Sequence, residues 1–101
     1  MVYTAKQNPD RCPPHPGEVI SDMLEDLDYS KSALARMLGI SRQQLHAILS
    51  GRKPVSPDIA ARFGKMFGNG PGLWLRLQAA YDAWHSVREV DVSAVPTLKV
   101  A

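Results

Sequence analysis

The side chains with the clearest chemical use are Arg42, Gln43, Gln44 and His46, which lie within the stretch 32–53, SALARMLGISRQQLHAILSGRK. Arg and Gln can form bidentate hydrogen bonds with guanine and adenine edges in the major groove of DNA. Leu45, Ile48 and Leu49 recur on one face of a helix and would fix it against a core. That geometry leaves Arg42, Gln43, Gln44, His46 and Ala47 pointing outward, where a groove could meet them.

A helix that reads a groove must be held at a defined angle, and the residues just before it supply the means. Ala35 provides the small side chain needed where two helices cross closely. Gly39, four residues on, suits a left-handed backbone at a tight reversal. Ser30 is a natural N-cap for the first helix of this pair, which runs to about Leu38 and is expected to bury Leu34, Met37 and Leu38. Ser41 can cap the second helix, and Gly51 stops it. The spacing predicts a helix-turn-helix.

The flanking elements also read as helices. One starts near Pro16, where a missing donor costs nothing, with Val19, Ile20, Met23, Leu24 and Leu27 as a buried stripe. Ser56-Pro57-Asp58 starts another, burying Ile59, Phe63, Met66 and Phe67 and ending before Gly68-Asn69-Gly70. Pro71 opens a fifth, to about Val87, with Leu73, Trp74, Leu77, Ala80, Tyr81 and Trp84 along one broad face. Glu89–Val95 alternates polar and apolar positions and also fits a short strand, which Pro96 ends. Pro13-Pro14 marks the end of an arm without regular structure. The chain therefore divides into an arm (1–14), a helical domain (15–88) and a tail (89–101), and its fold class is all-α.

Length and charge fit this reading. At 101 residues the chain builds one core rather than two, and 45% hydrophobic content is ordinary for a globular protein. No segment approaches the apolar run of roughly 20 residues that spans a membrane, and no signal-peptide core is visible, so a cytoplasmic location is expected. Cys12 is the one cysteine, read as a free thiol. The net charge of +2 conceals an asymmetry. From Tyr29 to Pro57 there is no acid, whereas Lys31, Arg36, Arg42, Arg52 and Lys53 are basic; Glu18, Asp22, Glu25, Asp26 and Asp28 precede them without a base. Two solvated helix faces would show the same charges, but beside the helix-turn-helix the basic window reads as phosphate attraction.

Other chemistry finds little support. His15, His46 and His85 lie on separate elements and in no metal-ligand spacing, and Gly68, Gly70 and Gly72 lack the strand and the Lys-Ser/Thr of a phosphate loop. Glu18, Asp22 and Glu25 share a helix face, which is usually solvated rather than catalytic. No metal, no cofactor and no enzymatic activity are expected. Trp74 and Trp84 are core residues on the simplest reading. Yet the aromatic breadth of the fifth helix also fits a two-fold dimer, whose subunits would read half-sites about 34–36 Å apart. The dimer contacts would then include Trp74, Tyr81 and Trp84, with Val90 and Val92 pairing as an antiparallel strand.

The helix-turn-helix resembles the phage-repressor-like (XRE/Cro) family, in which the bundle is lambda-repressor-like, on the strength of Ala35, Gly39, Ile40, Leu45 and Ile48. His15-Pro16-Gly17-Glu18, Ser41-Arg42-Gln43-Gln44-Leu45, Leu49-Ser50-Gly51-Arg52 and Trp74-Leu75-x-Leu77-Gln78-x-x-Tyr81-Asp82 are similar to the HigA/VapI antitoxins. The resemblance spans about residues 13–88. It implies an antitoxin that represses its own operon as a dimer and restrains a HigB-type mRNA-cleaving toxin. By position it makes Arg42, Gln43, Gln44 and His46 groove-facing, and Ser32, Ser41, Arg52 and Lys53 phosphate contacts, aided by backbone amides at the helix start. The long toxin-wrapping tail common among antitoxins is not present in this sequence. Glu18, Asp22, Glu25 and Asp26, with the arm, are the expected toxin-facing residues, because an RNA-binding toxin is basic.

Two rivals remain at this level. One is a stand-alone repressor without a toxin; the other is a protein-interaction module that has lost DNA binding. A small adjacent reading frame encoding a basic protein separates the first, and indifference to a palindrome would identify the second.

Overall fold

The computed structural model of the chain describes residues 10–100, in which five helices follow one another. They are α1 (Pro16–Glu25), α2 (Lys31–Leu38), α3 (Arg42–Leu49), α4 (Pro57–Phe67) and α5 (Gly72–Glu89). The fold is all-α, as expected. Most of the expected N-terminal arm, residues 1–9, lies outside the described residues, as does residue 101.

Local chemistry sets the helix ends. Ser30, Ser41 and Ser56 each sit in extended backbone and accept a hydrogen bond from the amide three residues on, at 3.1, 3.0 and 3.3 Å. A side-chain oxygen there satisfies one of the donors that a helix start leaves unpaired, typically for about 1 kcal/mol. Pro16 and Pro57 occupy first turns, where a missing N–H is harmless. Gly39 ends α2 with φ +75°, and its amide bonds back to Arg36 O. α3 ends at Leu49, and Gly51 follows with φ +79°. These boundaries follow the sequence reading, except that α1 ends at Glu25, before the Leu27 of its expected stripe, α5 continues two residues past Val87, and Pro71 occupies the α5 cap position.

Packing joins α1 and α2 to α3, α4 to α5, α1 to α5 and α2 to α4. Ile20, Leu34, Leu45, Ile48, Phe63 and Trp74 meet in the interior, each 2% exposed or less. Burying such side chains contributes about 1.5–3 kcal/mol apiece. α1 approaches α3 so closely that a Cβ on Gly17 would lie 1.9 Å from the Ile48 carbonyl oxygen. Only a glycine permits that approach, which seats the first turn of α1 on the end of α3.

Several expectations are corrected. Met23 and Leu27 are more than a third exposed, and Met37 is 54% exposed. Helices of eight to ten residues touch their neighbours along a narrow stripe, so the outer positions of each apolar face remain in solvent. Leu73 and Ala80 on α5 are exposed as well, on the side of that helix turned away from α4 and α1. Met66 and Phe67 pack against the core only partly buried. The alternation over Glu89–Val95 forms no strand. α5 runs through Glu89, and Asp91 Oδ1 then accepts from the Ser93 amide at 3.0 Å while the Val95 amide bonds to Val92 O, closing a turn. A period-two pattern needs a partner strand, and none lies beside this tail among the described residues. No helix there is long and apolar enough to cross a membrane.

Candidate nucleic-acid interface

α3 is held from inside by Leu45, Ile48 and Leu49 and presents Arg42, Gln43, Gln44 and His46 to solvent. At about 100° per residue, Gln43 occupies the middle of the exposed face, with Arg42 and Gln44 on opposite flanks. Arg42, Gln43 and His46 line an open cleft of about 490 Å³ together with Lys31 at the start of α2 and Arg52 beyond α3. Three permanent cations thus surround the polar tip of the helix. Ser32, Ser41, Gln44 and Lys53 are also exposed but stand outside that lining. The Ser41 hydroxyl accepts from the Gln44 amide, which leaves its own O–H free to donate to an anion. The amides of the first turn of α3 point the same way.

The loop after α3 is tightly organised. The Arg52 and Lys53 amides both donate to Ala47 O, at 2.9 and 3.1 Å, and the Arg52 Nε donates to Ser50 Oγ at 3.1 Å. Ser50 in turn donates to Ala47 O. The Val55 amide donates to the buried Gln78 Oε1 on α5 at 2.7 Å, and Gln78 Nε2 donates to Asp82. Arg52 and Lys53 are therefore fixed relative to both α3 and α5. Across the helix-turn-helix, Arg62 of α4 donates to Leu38 O at 2.8 Å and pairs with Asp58, whose carboxyl it holds below the ordinary carboxylate range.

Sequence reasoning missed two participants. Lys31 joins the cleft lining, and its place in the acid-free window was the available signal. His15 caps α1, with Nδ1 accepting from the Gly17 amide at 2.9 Å. It is buried, its ring meets Tyr81 edge-on at 4.9 Å, and a Cβ on Gly51 would lie 3.6 Å from it. Burial depresses its basicity, against the opposing pull of Glu18, Asp82 and the Lys53 backbone. Pro16 in the first turn implied a cap immediately before it, but imidazole is outside the usual capping set.

The remaining expected sites separate into surface and interior. Glu18, Asp22, Glu25 and Asp26 are all exposed, along α1 and its end. Tyr81 and Trp84 are half-buried, and the Arg88 guanidinium lies 3.8 Å over the Trp84 ring. Val90 and Val92 are exposed. Trp74 is a correction: it is wholly buried against Phe67, so its side chain has no surface to offer a second subunit. Among the described residues no group of three or more His, Cys, Asp or Glu gathers as a metal site.

Comparison with known proteins places this geometry in a family. The HTH_3 helix-turn-helix family model matches residues 20–74, which takes in α2, α3 and α4 whole. The transcriptional regulator YddM of Escherichia coli, itself uncharacterised, is 31% identical over 85 residues, covering 84% of this chain and 90% of its own length. An addiction module antidote protein of the HigA family from Coxiella burnetii is 35% identical. It superposes with a TM-score of 0.78 over 88% of this chain and all of its own. The Pseudomonas aeruginosa antitoxin HigA, solved with the higBA promoter, is 31% identical with a TM-score of 0.68, over 78% of this chain and 96% of that one. By sequence and by fold, the chain belongs to the helix-turn-helix family and, within it, to the HigA-type antitoxins.

Proposed function

We propose that the chain is an operator-binding antitoxin that acts in the cytoplasm as a homodimer, represses its own operon and neutralises a HigB-type mRNA-cleaving toxin. The observation that carries the DNA reading is the rigidly capped α3, with Gln43 at the centre of its exposed face and Lys31, Arg42 and Arg52 around it. Cations secure the phosphates without regard to sequence, and the amide side chains of Gln43 and Gln44 discriminate bases. Ser32, Ser41, Arg52 and Lys53 supply backbone contacts. The higBA promoter solved with the Pseudomonas aeruginosa HigA supports the same use here.

One subunit reads one half-site, so tight binding calls for a pair. The far half of α5 and the tail after it support a two-fold contact: Tyr81 and Trp84 are half-buried on α5, and Val87, Val90 and Val92 are exposed. Glu18, Asp22, Glu25 and Asp26 give α1 an exposed acidic surface, complementary to a basic RNA-cleaving toxin.

The test is a titration of the purified chain against a duplex of its own upstream region and against random DNA, at two salt concentrations. Tight, palindrome-dependent binding at both salts is expected. Weak binding that ignores sequence and vanishes with salt would mean a protein-interaction module instead.

A further inference from the structure

A single buried imidazole joins three parts of the molecule that the DNA reading treats separately. His15 Nδ1 caps α1 through the Gly17 amide, the ring packs against Gly51 and the Tyr81 ring, and the Lys53 backbone lies near enough to raise its basicity. Because Nδ1 accepts, the neutral ring carries its proton on Nε2, which is the nitrogen left to donate. The Lys53 amide is already committed to Ala47 O, so its carbonyl is the group able to receive that proton's hydrogen bond. The loop so held carries Arg52 and Lys53.

We propose that His15 is the positioning residue that holds the Gly51–Lys53 loop in its phosphate-facing place, and that it does so only while its imidazole is neutral. The inference rests on the DNA-binding reading of Arg52 and Lys53. Protonation puts a hydrogen on Nδ1, and two donors, the imidazolium and the Gly17 N–H, then face each other. The cap fails and the ring is driven from its seat beside Gly51, so the loop keeps its bonds to Ala47 O but loses the packing that positions it. The groups facing the ring are Glu18 on α1, Asp82 and the Tyr81 hydroxyl ring on α5, and Lys53 in the loop. The two carboxylates favour the charged ring, but burial outweighs them and lowers its basicity. The sign follows: a histidine less basic when folded gives full stability above its ordinary value of about 6.5. That stability is lost as pH falls from there through the lower folded value.

The experiment compares the intact chain with His15→Asn, whose short amide keeps a cap acceptor but neither titrates nor reaches Lys53. Affinity for the upstream duplex is measured against salt at pH 7.5 and at a pH below the midpoint at which the His15 ring itself titrates by NMR. His46 and His85 are present in both proteins, so whatever they contribute is common to the two. For the parent chain, acidification should weaken binding roughly tenfold relative to the variant. It should also flatten its log–log salt slope by about 2, the loss of two phosphate contacts at roughly 0.9 each. Parallel pH responses in the two proteins would overturn the proposal. In the parent chain alone, NMR should show the Gly17, Gly51 and Lys53 amides shifting with the same midpoint as the His15 ring. Amides that stay still while the ring titrates would overturn it equally. That readout needs neither DNA nor the variant, so it separates failure of this inference from failure of the DNA reading.

Discussion

The Arg62 guanidinium donates to the Leu38 carbonyl oxygen at 2.8 Å and lies 2.7 Å from where a Cβ on Gly39 would be. One contact from α4 thus closes the end of α2, and it occupies the space that any larger residue at the turn would need. The brace ties α4 to the end of α2, at the turn that leads into α3.

Gly39→Ala should therefore be costly twice over. The left-handed φ of +75° alone penalises a side chain by roughly 1–2 kcal/mol, and the added methyl also pushes against Arg62. Chemical denaturation is expected to show a loss of at least that size. A neutral result would mean that the turn is not held as described.

How much of this was legible beforehand depended on how local the signal was. Ser30, Ser41 and the Ser56-Pro57 pair announced helix starts because a cap and its amide are neighbours in sequence, and Gly39 and Gly68 announced ends for the same reason. Arg42, Gln43, Gln44 and His46 were legible as an outward face because Leu45, Ile48 and Leu49 fixed the inward one. The Arg62–Leu38 bond joins residues 24 apart, and nothing local points to it. Met37, expected in the core, is exposed, and Trp74 keeps its core place and lacks the added dimer role, since burial is decided by which helix arrives opposite. The Glu89–Val95 alternation misled because a strand pattern states a preference and the partner decides the outcome.

Arg52→Ala or Lys53→Ala should weaken binding to operator and random duplexes alike. Each should reduce the slope of log affinity against log salt by about 0.9. Filter binding across a salt series measures this. A loss confined to the operator would instead make the residue a base reader.

Charge reversal at Asp22 and Glu25, to Lys in both, should sharply reduce affinity for the cognate toxin and leave operator affinity at neutral pH nearly unchanged. Both side chains are exposed on α1, so folding should be unaffected. Unaltered toxin affinity, measured by calorimetry, would remove α1 from the toxin interface.

Trp84→Ala combined with Val90→Asp should shift the protein toward monomer in sedimentation experiments. Operator binding should then fall much more than binding to an isolated half-site, because two linked half-site readers reinforce each other. A dimer that survives both changes would place the two-fold contact elsewhere on the molecule.

The central claim is that α3 reads base edges through its glutamines, and Gln43→Ala tests it most directly because Gln43 stands in the middle of the exposed face. Its affinity for the operator and for random DNA should be measured side by side at one salt concentration. The account predicts a loss of about 1–3 kcal/mol on the operator, relaxed preference at one base pair, and no change on random DNA. Equal losses on both duplexes would contradict it.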